Sequence, residues 1–521
     1  MRAPPVRNRK PAPTVSLAAA PAVASRPQAP RLQAPDLRAV ELRSTKAAAI
    51  KTAAPEPATN LAVPAPPDRA VAVAGIRVTA ASPAACFYSS AIDGDMSGIL
   101  GMPHYSYRFA EAKFLQAFAA AGMPLAKLAM PEFYSTEWSL PNATAAGLSS
   151  IVHLIFRSTE QIRLLKIGVN IACFAWEFEV LKDDTRPNEH PFLNQKRMLS
   201  ICDEVWVPCA YTAAVLAAHG IAHVHVIPAP IAVPSAPRVD HLEALSLVGH
   251  VNVMPLIYNF VLPREQNAAA CAAAGLSMID WLAPRLGAAR DPLIYLAVLN
   301  PEDFRKNIDT LIRGFFHFQQ AHKGVYLIVK VLTSTDRFSL ERVLSDVIPN
   351  KLASGSVFAT DNIMFMNRFL SDDEMSALYA MADFYVCTSA AEGQNLPLLE
   401  AMAHGTVPVS TRNTAMADYI SPANAFVIEE KLVLNSNQHL AGTIAAKPFH
   451  IHTSTSRDVF AALVQSRKAT SARRRQLSAA CVQTVRATFG VDVVWARIQA
   501  RLDAIRAARA ADLAGRMAEG A

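Results

Sequence analysis

TSAAEGQNLPLLEAMAHGTVPVSTRNTAMADYI, residues 388–420, decides how the rest of the chain is read. Two carboxylates, Glu392 and Glu400, stand with seven residues between them, and Gly393 follows the first. FYVCTS (384–389) upstream is a short apolar run of the kind that forms a buried strand, and VPVST (407–411) downstream is another. Pro397 falls where a helix should start, because a proline in the first turn gives up no intrahelical hydrogen bond. The unit is therefore strand, loop, helix, strand, with Glu392 at the carboxyl end of the first strand. Open α/β sheets bind their ligands at that edge. The free amides and positive dipole of the helix start suit a phosphate. Glu392 can accept hydrogen bonds from sugar hydroxyls, and Glu400, a turn further on, from a ribose diol. Each carboxylate taken alone is equally an ordinary solvated or dipole-complementing residue.

The whole string resembles the donor-site hallmark of the retaining glycosyltransferases of family four, roughly E-G-F-G-L-P-x-x-E-A-M-A-x-G-x-P-V. Glu392, Gly393, Leu396, Pro397, Glu400, Ala401, Met402, Ala403, Gly405, Pro408 and Val409 stand at matching places. Gln394 and Asn395 replace the usual Phe-Gly, which touches the backbone path beside the donor phosphate and leaves the carboxylate spacing intact. The resemblance spans roughly residues 75–510. It implies the GT-B fold: α/β, with two Rossmann-like domains facing a cleft, preceded by a disordered tail and followed by C-terminal helices.

The chain has 521 residues, 52% of them hydrophobic and 18% charged, enough for two domains with their own cores. Residues 1–72 carry eleven Arg/Lys against four Asp/Glu, an excess equal to the net charge of +7 for the whole chain. The basic character thus belongs to a tail with thirteen of the 35 prolines and no aromatic residue, whose composition predicts disorder. No clustered basic face or nucleic-acid-binding module is evident, so nucleic acid is not an expected partner. The tail reads as a solvated extension in preference to a contact with anionic lipid. Seven scattered cysteines without C-x-x-C suit a reducing compartment, and no run of about eighteen apolar residues suggests a membrane span. The expected location is cytoplasmic, with the inner face of a membrane as the variant. His219, His223 and His225 lack a fuller ligand set, and no metal is expected.

A first α/β domain is expected over 73–231. It opens with the strand GIRVTAAS (75–82), then a loop with Gly94, Gly98 and Gly101, then a helix over 105–121. Gly98 is a cleft candidate on the resemblance, although the spacing is not the dinucleotide fingerprint. IVHLIFR (151–157) and VNIACFAW (169–176) read as strands with a helix between. A helix (191–201), the strand DEVWVP (203–208), a helix (212–219) and VHVIPAPI (224–231) follow. Many relatives place a cleft histidine near FAWEFE. Here Trp176 and Glu177 occupy that region, either stacking on a sugar and bonding acceptor hydroxyls, or as a buried Trp beside a surface Glu. Residues 232–290 read as an interdomain connection with some added structure.

A second α/β unit, 291–455, starts with the strand LIYLAVL (293–299) and the loop NPEDFRKN (300–307). Arg305 and Lys306 lie at the same sheet edge as Glu392, where cations stabilise a departing diphosphate. On the resemblance Lys306 matches the usual Lys, Asn300 fills the usual Arg position, and Arg305 is its substitute. Helices with arginine-rich outer faces complete the chain (456–521), and the resemblance returns the last one to the first domain.

The expected function is transfer of a hexose from a nucleotide-sugar to a saccharide or lipid-linked acceptor hydroxyl, with retention implied by the resemblance. Glu392 orients the hexose; Lys306 and Arg305 stabilise the diphosphate. Gly393, Gln394, Asn395 and Leu396 hold phosphate, Glu400 holds the ribose, and no cofactor is needed beyond the co-substrate. The competing readings are a GT-B epimerase or phosphorylase, and a non-catalytic sugar-nucleotide binder.

Overall fold

The computed structural model describes residues 86–91, 103–123, 125–136, 139–140, 151–183, 190–235, 240–331, 340–351, 357–435 and 448–519. The tail, the expected strand 75–82 and the loop bearing Gly94, Gly98 and Gly101 lie outside them.

Two α/β halves make up the described chain. In the first, β1 (Cys86–Ser90), β2 (Leu125–Lys127), β3 (Ile151–Ile155), β4 (Val169–Cys173), β5 (Glu204–Val207) and β6 (Val224–Val226) form a parallel sheet ordered β2-β1-β3-β4-β5-β6. β3 and β4 are buried at every position, as expected of a parallel sheet covered on both faces. The helix Pro103–Ala120 follows β1 and packs Phe114 and Phe118 into the core. Between β3 and β4 the expected helix is only the single turn Thr159–Gln161. The thirteen residues 156–168 carry both the turn and the approach to β4 at Gly168, leaving little length for a helix. Gly168 has a φ of +88°, and an added Cβ would come within 2.6 Å of Ile151.

The second half is built on β9 (Leu293–Leu299), whose unbroken apolar run faces two cores at once. Leu293, Tyr295, Ala297 and Leu299 enter one core; Ile294 and Leu296 enter the other. Its companions are β7 (Asn252–Asn259), β8 (Leu276–Ser277), β10 (Val325–Val331), β11 (Val357–Met366), β12 (Phe384–Cys387), β13 (Val407–Ser410) and β14 (Phe426–Val427). The order is β14-β13-β12-β9-β10-β11-β7-β8, with β7 and β8 antiparallel. Residues 232–290 are therefore more than a connection: they add β7, β8 and the helices His241–Val248, Arg264–Ala273 and Met278–Ala288 to this half. The order of strand addition reverses at β9: β10 lies on one side of it and β12 on the other, all three parallel. This is the switch point at which open sheets leave a crevice. The arrangement is the GT-B architecture.

A hairpin of β15 (Lys431–Asn435) and β16 (Phe449–Thr453) stands apart from both sheets. The helices Ser456–Lys468 and Ser471–Phe489 pack on the second half, where Gly314 lets Val459 approach to 2.8 Å of the position a Cβ would take. The helix Val491–Glu519 then crosses back. Val494, Trp495, Ile498 and Leu502 join the first core, Trp495 edge-on to Phe118 at 5.0 Å. Burial of such side chains is worth roughly 1.5–3 kcal/mol each. The chain's two crossings meet: Ile231 pairs with Gly490, and its amide donates to Phe489 O at 2.8 Å. No described helix is long and apolar enough to cross a membrane.

Candidate active site

The carboxyl ends of β9 and β12 bring together the two elements singled out in the sequence. Lys306 Nζ donates to Glu392 Oε1 at 2.5 Å, across 86 residues of chain. Neither group is placed by chance. After β9, Asn300 Oδ1 accepts from Glu302 N at 3.0 Å and Asp303 caps the short turn Phe304–Lys306. Asn307 then takes a left-handed conformation (φ 48°), a region asparagine tolerates. Its Nδ2 donates to Thr388 O at 3.0 Å, while Thr388 Oγ1 donates to Lys306 O at 2.8 Å. Ala390 N donates to Arg305 O at 2.7 Å. The two loops are thus tied through backbone groups, and Lys306 and Glu392 inherit that rigidity.

Glu392 is buried, 5% exposed. Its amide donates to Thr414 Oγ1 at 2.8 Å, and Thr414 itself stands at φ 44°. The helix Leu396–Ala403 begins one residue earlier than expected, with Pro397 second and Asn395 as the cap. Asn395 is left-handed (φ 63°), and its side chain accepts from Leu398 N. Asn395 here fulfils the role of the usual glycine, a residue that reaches positive φ without strain. Leu396 packs against both halves' cores.

Electrostatics reinforce the geometry. Burial disfavours the Lys306 ammonium, but Glu392 and then Asp303 hold its pKa above the ordinary lysine value. Burial likewise opposes charge on Arg305, and Glu177 and Asp303 more than offset it. The Asp303 carboxyl resists burial through Arg305 and Lys306 and stays below its ordinary value. Arg305 Nε and Nη2 donate to Asp303 at 3.1 and 2.7 Å. Its Nη1 lies 2.6 Å from Glu177 Oε1 in an ion pair, although its hydrogens are not directed at that oxygen. A small cavity of about 10 Å3 opens beside Lys306 and Glu392, lined also by Val298, Leu299, Cys387, Thr388 and Asn395.

The first half meets this edge directly. Gly393 lies against Ala175 and Glu177; a Cβ there would stand 3.0 Å from Ala175 Cβ. Gln394 does not turn its amide to the cavity. It pairs with both backbone groups of Ala229, donating to O at 2.9 Å and accepting from N at 3.1 Å. Glu400 is engaged by Lys113 at 2.6 Å and by the Tyr379 hydroxyl at 3.1 Å. Trp176 departs from the stacking reading: its N–H donates to Val180 O, and its ring packs between Phe174 and Phe178. It props the FAWEFE segment. Glu177 does reach the site, through Arg305. Lys113, Ala229, Tyr379 and Thr414 carry no signal of their own in the sequence; only the fold brings them here.

Residues 293–445 match the family model described as Glycosyl transferases group 1, the segment that holds Lys306, Glu392 and Glu400. Over 168 residues the chain is 29% identical to a serotype-specific mannosyltransferase WbdA of Escherichia coli, a match covering 30% of this chain and 19% of the relative. The chain therefore spans about a fifth of the length of the curated relatives it matches. Among solved structures, sucrose-phosphate synthase from Thermosynechococcus elongatus superposes with a TM-score of 0.48 at 14% identity, over 82% of this chain and 100% of that one. A glycosyltransferase from Rickettsia africae superposes with a TM-score of 0.46 at 9% identity, over 81% and 98%.

Proposed function

We propose that the protein transfers a hexose from a nucleotide-sugar to an acceptor hydroxyl, with retention of anomeric configuration, in the synthesis of a polysaccharide or glycolipid. The observation that carries this reading is the 2.5 Å contact of Lys306 with Glu392 at the β9/β12 switch point. It joins a cation and a carboxylate beside a cavity at the start of a helix. Glu392 orients the hexose through its hydroxyls. Breaking the anomeric C–O bond leaves negative charge on the diphosphate, and Lys306 Nζ with Arg305 Nη1 meets it. Cations already aimed at charge that develops in the reaction lower its barrier more than groups that bind only the ground state. The amides at the start of helix Leu396–Ala403 hold phosphate, and Glu400 accepts from the ribose.

Retention follows a front-face course in this reading: the departing phosphate oxygen takes the acceptor proton as the acceptor attacks from the same side. A double displacement would need a nucleophilic carboxylate placed about 5 Å from an acid. Glu392 is instead committed to Lys306. The E. coli relatives are named serotype-specific mannosyltransferases, which supports a hexose and a surface-polysaccharide acceptor.

The test is a screen of nucleotide-sugars with purified protein, reading donor hydrolysis and transfer, with NMR of the product's anomeric proton. Wild type should turn over one hexose donor with retention, and Glu392→Gln should not. Undiminished turnover by Glu392→Gln at saturating donor would remove the assigned role, and an inverted product would remove the front-face course.

A further inference from the structure

In the cleft as it stands, two donor-side charges are occupied from the opposite half, while Lys306 and Glu392 occupy each other. Arg305 carries Glu177 at 2.6 Å, and Glu400 carries Lys113 at 2.6 Å. Gln394 is fastened to Ala229, and Gly393 abuts Ala175. The remaining cavity, about 10 Å3, is far smaller than the roughly 300–1,000 Å3 of small-molecule pockets. A nucleotide-sugar therefore cannot simply drop in; it has to replace something.

Arg305 shows what is replaced. A guanidinium has five N–H donors in a fixed fork. One edge of the fork, Nε and Nη2, is taken by Asp303, whose own position is set by the turn it caps. That edge orients the arginine. The other corner, Nη1, is buried, lacks a directed hydrogen bond among the described residues, and forms an ion pair with a carboxylate borrowed from the first half. A phosphate oxygen is the better partner for that corner, because phosphate matches guanidinium geometry and carries more charge. Near the two cations stand three carboxylates, Asp303, Glu177 and Glu392, so a diphosphate entering without displacement would meet an excess of negative charge.

We propose that Glu177 is a resident competitor of the donor: its carboxylate holds Arg305 Nη1 in the empty cleft, and the donor diphosphate binds by exchanging with it. Glu177 thereby sets donor affinity without being part of the donor's binding surface. This rests on the donor-site reading above. The exchange is purely ionic; no bond is made or broken.

The experiment is titration calorimetry of the full chain with uridine diphosphate, guanosine diphosphate and inorganic pyrophosphate. The proteins compared are wild type, Glu177→Gln and Glu179→Gln. Glu179 is two residues on, pairs with His450 at 2.9 Å, and does not touch Arg305, so its variant makes the same change in net charge elsewhere. Glu177→Gln should bind the preferred nucleoside diphosphate, and pyrophosphate, about tenfold tighter than wild type, while Glu179→Gln stays within about twofold. Glu177→Ala should repeat the gain, with thermal melting confirming that both variants fold. Unchanged or weaker affinity in both Glu177 variants, with wild type binding normally, overturns the exchange and leaves the donor site standing. Equal tightening in Glu179→Gln also overturns it, since the field and not Arg305 would then be responsible. Failure of every protein to bind any of the three ligands overturns the donor-site reading and the exchange together.

Discussion

The two halves contribute to the cleft in different ways. The second half holds its groups through the backbone. Asn307, Asn395 and Thr414, all at positive φ, fix the loops after β9, β12 and β13, and buried hydrogen bonds tie those loops to one another. The first half reaches the same place mainly with side chains: Glu177 on Arg305, and Lys113 on Glu400. Backbone-held groups keep their geometry when a ligand arrives, whereas partly exposed ion pairs trade partners at small cost. One half is built to stay and the other to let go.

The most severe way to break this contrast is to remove the fixed pair. Lys306→Met and Glu392→Gln should each lower the transfer rate at saturating donor by about 10²–10³-fold, measured by steady-state kinetics. Trp176→Phe, in the first half, should change it by less than about tenfold, because the ring props a segment and does not face the cavity. A comparable loss in all three would erase the distinction.

The next effect is on stability and depends on pH. Lys330 is buried on β10, where its ammonium donates to Arg368 O at 3.0 Å. Burial lowers its pKa to about 8, although Glu374 pulls the other way. Between that value and the ordinary lysine value of 10.5 the unfolded chain binds more protons, so native stability rises with pH through this window. Lys330→Met should be more stable than wild type by about 2 kcal/mol at pH 7, from loss of the buried charge less a hydrogen bond. The advantage should fade from pH 8 to 10.5, as read by denaturant melts across that range.

Asn395→Ala should cost about 1–2 kcal/mol in urea melts, since it deletes a helix cap and places alanine at φ 63°. Asn395→Gly should recover much of that cost by relieving the backbone. Gln394→Ala should destabilise by about 1 kcal/mol, because it removes both hydrogen bonds to the main chain of Ala229, a residue only 3% exposed. Its effect should appear in small-angle scattering as a wider particle.

Much of this was legible in the residues. LIYLAVL, FYVC and VYLIVKV, apolar but for Lys330, announce buried parallel strands, and the seven residues between Glu392 and Glu400 mark the loop at the switch point. The pairing of Lys306 with Glu392 follows once both loops are put on one sheet edge. Residues 232–290 resisted for a physical reason. Pro255 sits inside β7, and proline argues against a strand because it lacks a donor. The structure accommodates it next to the register shift between Ala359 and Met364 of β11, where the ladder is already irregular. Trp176 reads equally as a sugar platform or a buried ring, and Gln394 is placed at the phosphate by its position in the motif. Their actual partners, Ala229 O and N and Val180 O, are main-chain groups, which no side-chain pattern reveals. Lys113 escaped notice because an amphipathic helix carries many such cations, and only tertiary placement singles one out.

The bridge between Ile231 and Gly490 gives the molecule an axle. The polypeptide passes from one half to the other at this point and returns through it, so sliding the halves apart would strain both passages together. Swinging them asks only for torsional change at a few neighbouring bonds. Gly490 is tightly fitted there: a methyl would press to 2.5 Å against the Arg486 carbonyl. Whatever widens the crevice thus turns about a spot that tolerates no side chain.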